Sequence, residues 1–193
     1  MKILVILGSP RKNGNSEATA RIISDSLSKH LAGEVEYIRL VSHKISPCIG
    51  CGGCEKTGMC IVKDDMLDLY EKIDLADIIL LASPTYFYGL SAQLKGFIDR
   101  IQARWSRRYL LKIRTRTEDK RLGYLVCTAA TQGKKLFDGS ILVAKSYFDA
   151  IDMLYGGAFV VRGVDEKGAL KNLPDELQRA ETFALQIARE YQS

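Results

Sequence analysis

A regular alternation of short apolar runs with longer helical segments is the feature that most constrains the fold of this chain. Continuous apolar runs, typical of strands buried on both faces, occupy residues 2–7, 77–82, 123–128 and 158–161, and a more alternating run occupies residues 34–40. Helical spacing with plausible amino-terminal caps covers residues 15–29, 64–73, 91–101, 139–153 and 174–191. Because each connection is long enough for a helix, the pattern predicts a parallel sheet with helices on both faces.

The length of the chain predicts a single domain. Its 193 residues can bury one full core but are too few for two ordinary domains, so residues 1–193 are expected to fold together. No apolar run approaches the roughly 20 residues that a membrane-spanning helix requires, so no membrane partner is expected. The first eight residues favour a strand over an export signal, and the five cysteines then favour a reducing, cytoplasmic location.

Two stretches interrupt the alternation: the cysteine loop, residues 46–63, and the basic segment, residues 104–121. Long insertions in a compact domain are more often functional than idle. The basic segment has eight Lys and Arg residues against Glu118 and Asp119, a local charge of +6 in a chain of net charge +5. Such a charge favours an anionic partner, although a solvated or subunit-contacting face has the same composition. No nucleic-acid-binding motif accompanies it, so no nucleic-acid partner is predicted.

The loop after the first predicted strand, residues 8–16, has the composition of a phosphate site. It brings backbone amides, hydroxyls and the amino terminus of a helix to one point, which suits a phosphate dianion. Ser9, Asn15 and Ser16 offer neutral hydrogen bonds, and Arg11 adds a charged one. The loop matches neither the Gly-x-Gly-x-x-Gly fingerprint nor a Walker loop, and an ordinary polar turn is the alternative.

The loop after the third predicted strand is apolar and aromatic, which suits packing against a planar heterocycle. In a sheet of order 2-1-3-4-5 it meets the first loop at the carboxyl edge, and the loop after the fourth strand lies on the same rim. The residues predicted to form this part of the site are Pro84, Thr85, Tyr86, Phe87, Tyr88 and Thr128. The alternative for the three aromatic residues is a place in the core or in an interface.

Four cysteines, Cys48, Cys51, Cys54 and Cys60, have the spacing Cys-x2-Cys-x2-Cys-x5-Cys, with glycines between the first three. Three thiolates within seven residues can bind one corner of a cubane, and glycines let the backbone approach inorganic sulfide. The spacing therefore favours a [4Fe-4S] cluster. The alternatives are structural zinc, which usually takes two separated Cys-x2-Cys pairs, and metal-free thiols. Cys127 lies outside this spacing and is expected to be a buried small side chain.

Residues 8–16 and 83–89 resemble the two motifs of the NADPH-dependent FMN reductases, a branch of the flavodoxin-like superfamily. The resemblance covers the chain up to about Asp99. It implies the flavodoxin-like doubly wound α/β fold, with a five-stranded parallel sheet of order 2-1-3-4-5 and helices on both faces. It also implies that Ser9, Arg11, Asn15 and Ser16 bind the phosphate of FMN, and that residues 84–88 line its isoalloxazine ring.

The compact cysteine spacing, followed by Asp64 and Asp65, is similar to that of the iron-sulfur flavoproteins of anaerobic microbes. This resemblance implies an oxidoreductase, in a homodimer or homotetramer, that passes electrons between a ferredoxin and FMN through a [4Fe-4S] cluster. The basic segment would then attract an acidic, ferredoxin-like redox protein. Because the flavin carries the chemistry, no catalytic side chain is predicted.

Two other functions remain open from the sequence. One is a NAD(P)H-dependent FMN or quinone reductase that binds no cluster and works by hydride transfer. The other is a flavodoxin-like electron carrier with no turnover of its own.

Overall fold

Five parallel strands form one sheet, in the order β2-β1-β3-β4-β5, in the computed structural model of the chain. The structure describes residues 1–116 and 119–193. The strands are β1 (Lys2–Leu7), β2 (Glu34–Arg39), β3 (Ile78–Pro84), β4 (Leu122–Thr128) and β5 (Leu154–Val161). The predicted parallel sheet and its strand order are therefore confirmed. The strand ends agree with the predicted ones within two residues, except that β5 begins four residues earlier.

Seven α-helices accompany the sheet in the described part of the chain. They are α1 (Asn15–Leu31), α2 (Gly53–Thr57), α3 (Met66–Leu75), α4 (Ala92–Asp99), α5 (Gln102–Trp105), α6 (Asp138–Ala150) and α7 (Pro174–Gln192). Short 3₁₀ helices occupy Leu40–Ser42 and Ala169–Asn172, and a π-helix at Ser106–Leu110 follows α5. The sequence pattern missed α2, α5 and the π-helix, which lie in or beside the two interruptions.

The helices cover both faces of the sheet, as predicted. On one face, α1 and α7 pack small and branched side chains such as Ile23, Ala184 and Ile187 against β1, β3 and β4. On the other face, α3, α4 and α6 contribute larger side chains, including Phe97 and Phe148. Since β1, β3 and β4 are buried from both sides, their continuous apolar sequences follow directly from their place in the sheet.

Ion pairs connect the basic segment to the rest of the domain. Its paired side chains and their partners are Arg104 with Asp74, Arg108 with Asp149 and Asp152, Arg114 with Asp152, and Arg116 with Asp77 and Asp119. Arg121 is buried. Four aspartates from outside the segment thus neutralise part of its predicted charge of +6. Residues 117 and 118 of the segment lie outside the described residues.

Candidate functional site

The loops that follow β1, β3, β4 and β5 enclose a pocket of about 230 Å³ at the carboxyl edge of the sheet. Eight of the ten residues predicted for a cofactor line it: Ser9, Arg11, Asn15, Ser16, Pro84, Thr85, Tyr86 and Thr128. Gly14, Ala130, Val164, Asp165 and Lys167 complete the lining. The structure therefore brings the first and third loops together, and adds the loop after β5 as a wall that the sequence analysis did not include.

The first loop is shaped by its own side chains. The Ser9 hydroxyl accepts a hydrogen bond from the Arg11 amide at 3.1 Å, which folds the chain tightly after β1. Arg11 extends over the pocket, and its Nη1 donates to the Asp165 carbonyl at 3.3 Å. The long helix α1 begins at Asn15, so its amino-terminal amides, with their partial positive charge, face the same space.

Asn15 lines the pocket but directs its side chain at the loop after β5. Its Nδ2 donates to the Glu166 carbonyl at 2.9 Å, and its Oδ1 accepts from the amides of Gly168 and Leu170 at 3.2 and 3.4 Å. These bonds use most of the hydrogen-bonding capacity of the side-chain amide. Asn15 therefore fixes the loop that carries Lys167 to the pocket, a role different from the direct phosphate contact that the resemblance implied.

Glu17, on the first turn of α1, stabilises the loop of residues 8–16 through a buried carboxylate. Its side chain is 1% exposed and accepts hydrogen bonds from the Asn13 amide at 2.7 Å and from Arg39 at 2.6 Å. Asn13 has a positive φ of 57°, so its conformation depends on such support. Burial alone would raise the pKa of Glu17, but the bonds from Arg39, Asn13 and Arg21 outweigh it and hold the pKa below its ordinary value.

We predict that Glu17→Gln lowers the free energy of unfolding by about 2–3 kcal/mol at pH 7, because the partly buried guanidinium of Arg39 and the more exposed one of Arg21 lose the buried carboxylate that pairs with both. A carboxyl group whose pKa is depressed by folding stabilises the protein above its unfolded pKa, and this contribution is lost as the pH falls through the folded pKa. The difference between variant and wild type should therefore shrink below about pH 4.3.

Urea denaturation at pH 7 and pH 3.5 measures this difference. Glu36→Gln is the matched control, since Glu36 makes a half-exposed pair with Lys72; it should change stability little at either pH. A pH-independent effect of Glu17→Gln would contradict the role given to the charge.

A two-residue turn carries the aromatic side chains after β3. Tyr86 and Gly89 exchange two backbone hydrogen bonds of 2.9 Å, and the intervening Phe87 and Tyr88 have positive φ values of 49° and 62°. Such turns normally contain Asn-Gly, so two aromatic residues here are strained. Phe87 is fully exposed at the tip, and neither Phe87 nor Tyr88 lines the pocket. The predicted contacts of these two residues with the ring stay predictions.

Thr85 lines the same pocket and ties two strand ends together. Its amide donates to the Thr128 carbonyl at 2.7 Å, which ties the loop after β3 to the end of β4. Its hydroxyl is buried and interacts with the thiol of Cys127, near the end of β4. Thr85 therefore fixes the relative position of the two loops at this side of the pocket.

The four clustered cysteines line a second cavity, of about 400 Å³. Cys48, Cys51, Cys54 and Cys60 all contribute to its wall, together with the carboxyl end of α4 and the start of α5. Glycines within the cysteine loop have positive φ values of 63°, 69° and 69° at positions 50, 52 and 58. These left-handed residues turn the chain around the cavity at low conformational cost.

The basic segment forms part of the surroundings of this cavity. Ser106, the first residue of the π-helix, donates a hydrogen bond to the Cys54 sulfur at 3.6 Å. A Cβ atom at Gly58 would lie 2.3 Å from Cγ of Arg107, so the cysteine loop and the π-helix are in close contact there. The two interruptions of the sequence pattern are therefore one structural unit, and π-helical turns often occur at functional sites.

The donor set of this cavity suits a soft metal group. Thiolates select zinc, copper(I) or iron-sulfur clusters. Among the described residues, no three His, Cys, Asp or Glu side chains are placed to hold one metal ion. The chemistry of the four thiols therefore suits such a group, and their positions in this structure do not form a single-ion site.

Helix α4 leads from the end of β1 to the cysteine cavity. At its amino end the Ser91 hydroxyl donates to the Gly8 carbonyl at 2.6 Å and caps the helix by accepting from the Leu94 amide. At its carboxyl end Asp99 and Arg100 line the cysteine cavity.

Comparison with known families decides the class of the protein. The sequence profile described as NADPH-dependent FMN reductase matches residues 1–154. The chain belongs to the NADPH-dependent FMN reductase family. The family resemblance stated from residues 8–16 and 83–89 is therefore confirmed, and so is the expected class of flavin-dependent oxidoreductase at the level of the family.

Relatives of this FMN reductase family member include proteins named for an iron-sulfur group. The iron-sulfur flavoprotein MJ1083 of Methanocaldococcus jannaschii is 41% identical over 100 residues, which cover 52% of this chain and 51% of that protein. An iron-sulfur flavoprotein of Archaeoglobus fulgidus is 42% identical over 104 residues, covering 52% and 46% of the two chains. The matches thus span about half of these relatives.

Solved structures support the flavodoxin-like fold of the family member. The NAD(P)H:quinone oxidoreductase of Methanothermobacter marburgensis superposes with a TM-score of 0.66 at 18% identity, over 95% of this chain and 97% of that one. An FMN-dependent NADH-azoreductase of Bacillus anthracis, solved with FMN, has a TM-score of 0.67 at 14% identity, over 97% and 100%. At this identity the likeness establishes the fold, and the predicted fold class is confirmed.

Proposed function

We propose that this chain is an FMN-dependent oxidoreductase that passes electrons between a one-electron carrier and FMN, with a [4Fe-4S] cluster on Cys48, Cys51, Cys54 and Cys60. The observation that carries the proposal is the presence of two separate cavities in one subunit. One combines a phosphate-type loop with a polar and aromatic loop, and the other is lined by all four clustered thiols. Bound FMN supplies one- and two-electron chemistry, and a bound cluster supplies one-electron transfer.

The first cavity has the groups that FMN needs. In the proposal, Ser9, Arg11, Ser16 and the amino-terminal amides of α1 bind the phosphate, because they place neutral donors and one cation around a single point. Thr85, Tyr86 and Thr128, which line the rest of the pocket, face the isoalloxazine ring. Asn15 acts by holding the loop after β5 in place.

Lys167 is proposed as a second cation for the phosphate, since the loop after β5 brings it to the same pocket. We predict that Lys167→Gln weakens FMN binding about tenfold, because a charge-assisted hydrogen bond contributes about 1.5–3 kcal/mol. Riboflavin, which has no phosphate, should bind equally well to both proteins. Quenching of flavin fluorescence by the apoprotein measures both affinities.

Lys171→Gln is the matched control for this prediction. Lys171 is an exposed lysine of the Ala169–Asn172 helix and does not line the pocket. It should leave both affinities unchanged. An equal loss of FMN and riboflavin affinity in Lys167→Gln would contradict a phosphate contact and indicate a general disturbance of the loop.

A cluster-free NAD(P)H-dependent FMN or quinone reductase is the second candidate function. The description of the family favours it, because that description names NADPH and FMN but no metal. In this case all of the chemistry takes place at the flavin in the first cavity, and the four cysteines are free thiols.

Anaerobic reduction of the bound flavin separates the two functions. We expect a reduced ferredoxin to reduce the flavin of the wild-type protein at least tenfold faster than that of Cys54→Ala, with NADPH reducing both at one rate. Reduction by NADPH together with no reduction by ferredoxin would favour the second candidate instead.

The partner proposed for the first function is an acidic, ferredoxin-like protein. Much of the basic segment is paired within the chain, so electrostatic attraction depends on the charges that remain after pairing. Within residues 1–116 and 119–193, Arg107 and Lys112 take part in no described ion pair. If Arg107→Gln combined with Lys112→Gln leaves the salt dependence of electron uptake unchanged, this docking surface is wrong.

Other predicted properties are part of the same proposal. The single domain of residues 1–193 is supported by the one sheet that all five strands share. A homodimer or homotetramer is supported by exposed apolar side chains beside the cysteine cavity, namely Ile49, Met59 and Ile61. No helix in the described part of the chain is long and apolar enough to cross a membrane. A cytoplasmic location and the absence of a nucleic-acid partner stay predictions.

A further inference from the structure

Arg100, directly after α4, is enclosed beside the cysteine cavity and contributes to its lining. Its side chain is 0% exposed. A buried guanidinium is costly unless its donors are matched by acceptors, so the positions of those acceptors show what the residue does.

The guanidinium joins the two ends of the cysteine loop. Nη1 donates to the Ser46 carbonyl at 2.8 Å, and Nη2 donates to the Val62 carbonyl at 3.3 Å. Both nitrogens also bind the Asp64 carboxylate, at 2.7 and 3.1 Å, in a two-pronged pair. Ser46 precedes the first cysteine of the cluster and Val62 follows the last, so one side chain closes the loop at its base.

Asp64 completes this closure from its own side. Its carboxylate accepts hydrogen bonds from the amides of Ser46 and Met66, at 2.8 and 3.2 Å. Burial alone would raise the pKa of Asp64, but the bonds from Arg100 and these amides outweigh it and keep the pKa below its ordinary value. Arg100 and Asp64 thus form one buried unit that links the loop to α3 and α4.

One donor of Arg100 has no acceptor. Its Nε is buried and has no hydrogen-bond partner among the described residues. The thiol of Cys60, which lines the same cavity, lies close enough to interact with the guanidinium. A buried N–H that stays unpaired costs about 1–3 kcal/mol of folding free energy. We therefore expect an electron-rich acceptor for this donor in or beside the cavity.

We propose that Arg100 positions the cysteine loop through its two Nη groups and donates its Nε–H to a sulfur of the group that the four cysteines hold. This inference rests on the proposed cluster. Hydrogen bonds and nearby positive charge favour the reduced, more negative state of a cluster. Arg100 therefore raises the reduction potential of the proposed cluster, and replacing its guanidinium group lowers that potential.

Arg100→Lys in the full chain tests this, because lysine keeps a charge but has no Nε–H and cannot bridge both carbonyls. The matched control is Arg104→Lys. Arg104 is also a largely buried arginine in a two-pronged pair, but its partner is Asp74 on α3, and neither residue lines the cysteine cavity. Two quantities are measured: the midpoint potential, by anaerobic titration followed by electron paramagnetic resonance, and hydrogen-deuterium exchange of residues 46–63.

We expect Arg100→Lys to shift the one-electron reduction equilibrium at least tenfold, about 59 mV to more negative potential, and Arg104→Lys to leave it unchanged. A potential of Arg100→Lys equal to that of the control overturns the proposal. If Arg100→Lys loses the metal group, hydrogen-deuterium exchange in the metal-free proteins tests the positioning role instead. At least tenfold faster exchange of residues 46–63 in Arg100→Lys than in Arg104→Lys supports the positioning role, and equal exchange overturns it.

Failure of the proposed function and failure of the positioning role of Arg100 can be told apart. Wild-type protein that holds no iron would refute the cluster. The exchange comparison between the wild type and Arg100→Lys would still show whether Arg100 closes the loop, since it needs no metal.

Discussion

Replacing Arg121 by methionine is expected to lower the free energy of unfolding by about 3–5 kcal/mol and the melting temperature by about 10 °C. The side chain of Arg121, directly before β4, is buried and has no acidic partner among the described residues. Its guanidinium donates to the carbonyls of Ile73, Ala76 and Ile151, at 2.6, 3.0 and 2.8 Å. These carbonyls lie at the carboxyl ends of α3 and α6, so one cation satisfies the termini of two helices.

Methionine has a similar length and fits the apolar surroundings, but it leaves three buried carbonyls without this donor. Each such loss costs about 1–3 kcal/mol, which is a large part of the stability of an ordinary domain. Burial, together with the nearby positive charge of Arg116, lowers the pKa of Arg121, and the charges of Asp74 and Asp152 oppose that effect only in part. Thermal and urea unfolding followed by circular dichroism measure the change.

Arg114→Met is the control for Arg121→Met. Arg114 pairs with Asp152 at the surface, with 54% of its side chain exposed, and its replacement should leave the unfolding midpoint unchanged. If Arg121→Met unfolds within about 1 kcal/mol of the wild type, the carbonyls at the helix ends find other donors, and the part given to Arg121 is wrong.

Replacing Cys54 by alanine is expected to reduce iron and sulfide to less than about a tenth of the wild-type content, because a cubane needs all four thiolates. FMN content should stay unchanged. The cysteine cavity and the flavin pocket have no lining residue in common, so the loss of a thiol at one does not alter the contacts at the other. Metal and sulfide assays together with flavin absorbance test both statements on the same sample.

Cys127→Ala is the control for this substitution. Cys127 is the fifth cysteine, 0% exposed at the end of β4, as the sequence analysis predicted, and burial raises the pKa of its thiol to about 12. Its replacement should leave iron and sulfide at wild-type levels. Iron that remains in Cys54→Ala, or iron that disappears from both variants, would contradict the assignment of the four ligands.

Most of the fold could be predicted from the sequence because its strands carry an unambiguous signal. Strands β1, β3 and β4 are buried on both faces and must therefore be apolar throughout. The start of β5 was missed, since Gly156 and Gly157 weaken the apolar pattern there. The short helix α2 and the π-helix at Ser106–Leu110 have little periodicity of their own and form where the two interruptions pack together.

The partners of the basic segment could not be predicted. Composition shows that its charges exist, but the acids that pair with them, such as Asp77 and Asp152, come from distant parts of the chain. An ion pair is fixed by tertiary structure, and no local pattern reveals it. The net charge of +6 counted from the sequence is therefore larger than the charge that the segment presents to a partner.

The candidate flavin site was predicted in part. Ser9, Arg11, Ser16 and Thr85 meet at one pocket because carboxyl ends of parallel strands share an edge. Lys167 was missed, although the same rule applied to the end of β5 would have found it. Residues 87 and 88 were also predicted at the ring; they lie in the tight turn between Tyr86 and Gly89, outside the pocket lining, and their contact with the ring stays a prediction.

The content of iron, acid-labile sulfide and FMN in protein purified without oxygen tests the central claim most directly. The account predicts about four iron and about four sulfide for each FMN, with a loss of iron and sulfide but not of FMN in Cys54→Ala. Stoichiometric FMN without iron or sulfide in the wild-type protein would contradict the cluster and leave the cluster-free reductase as the function.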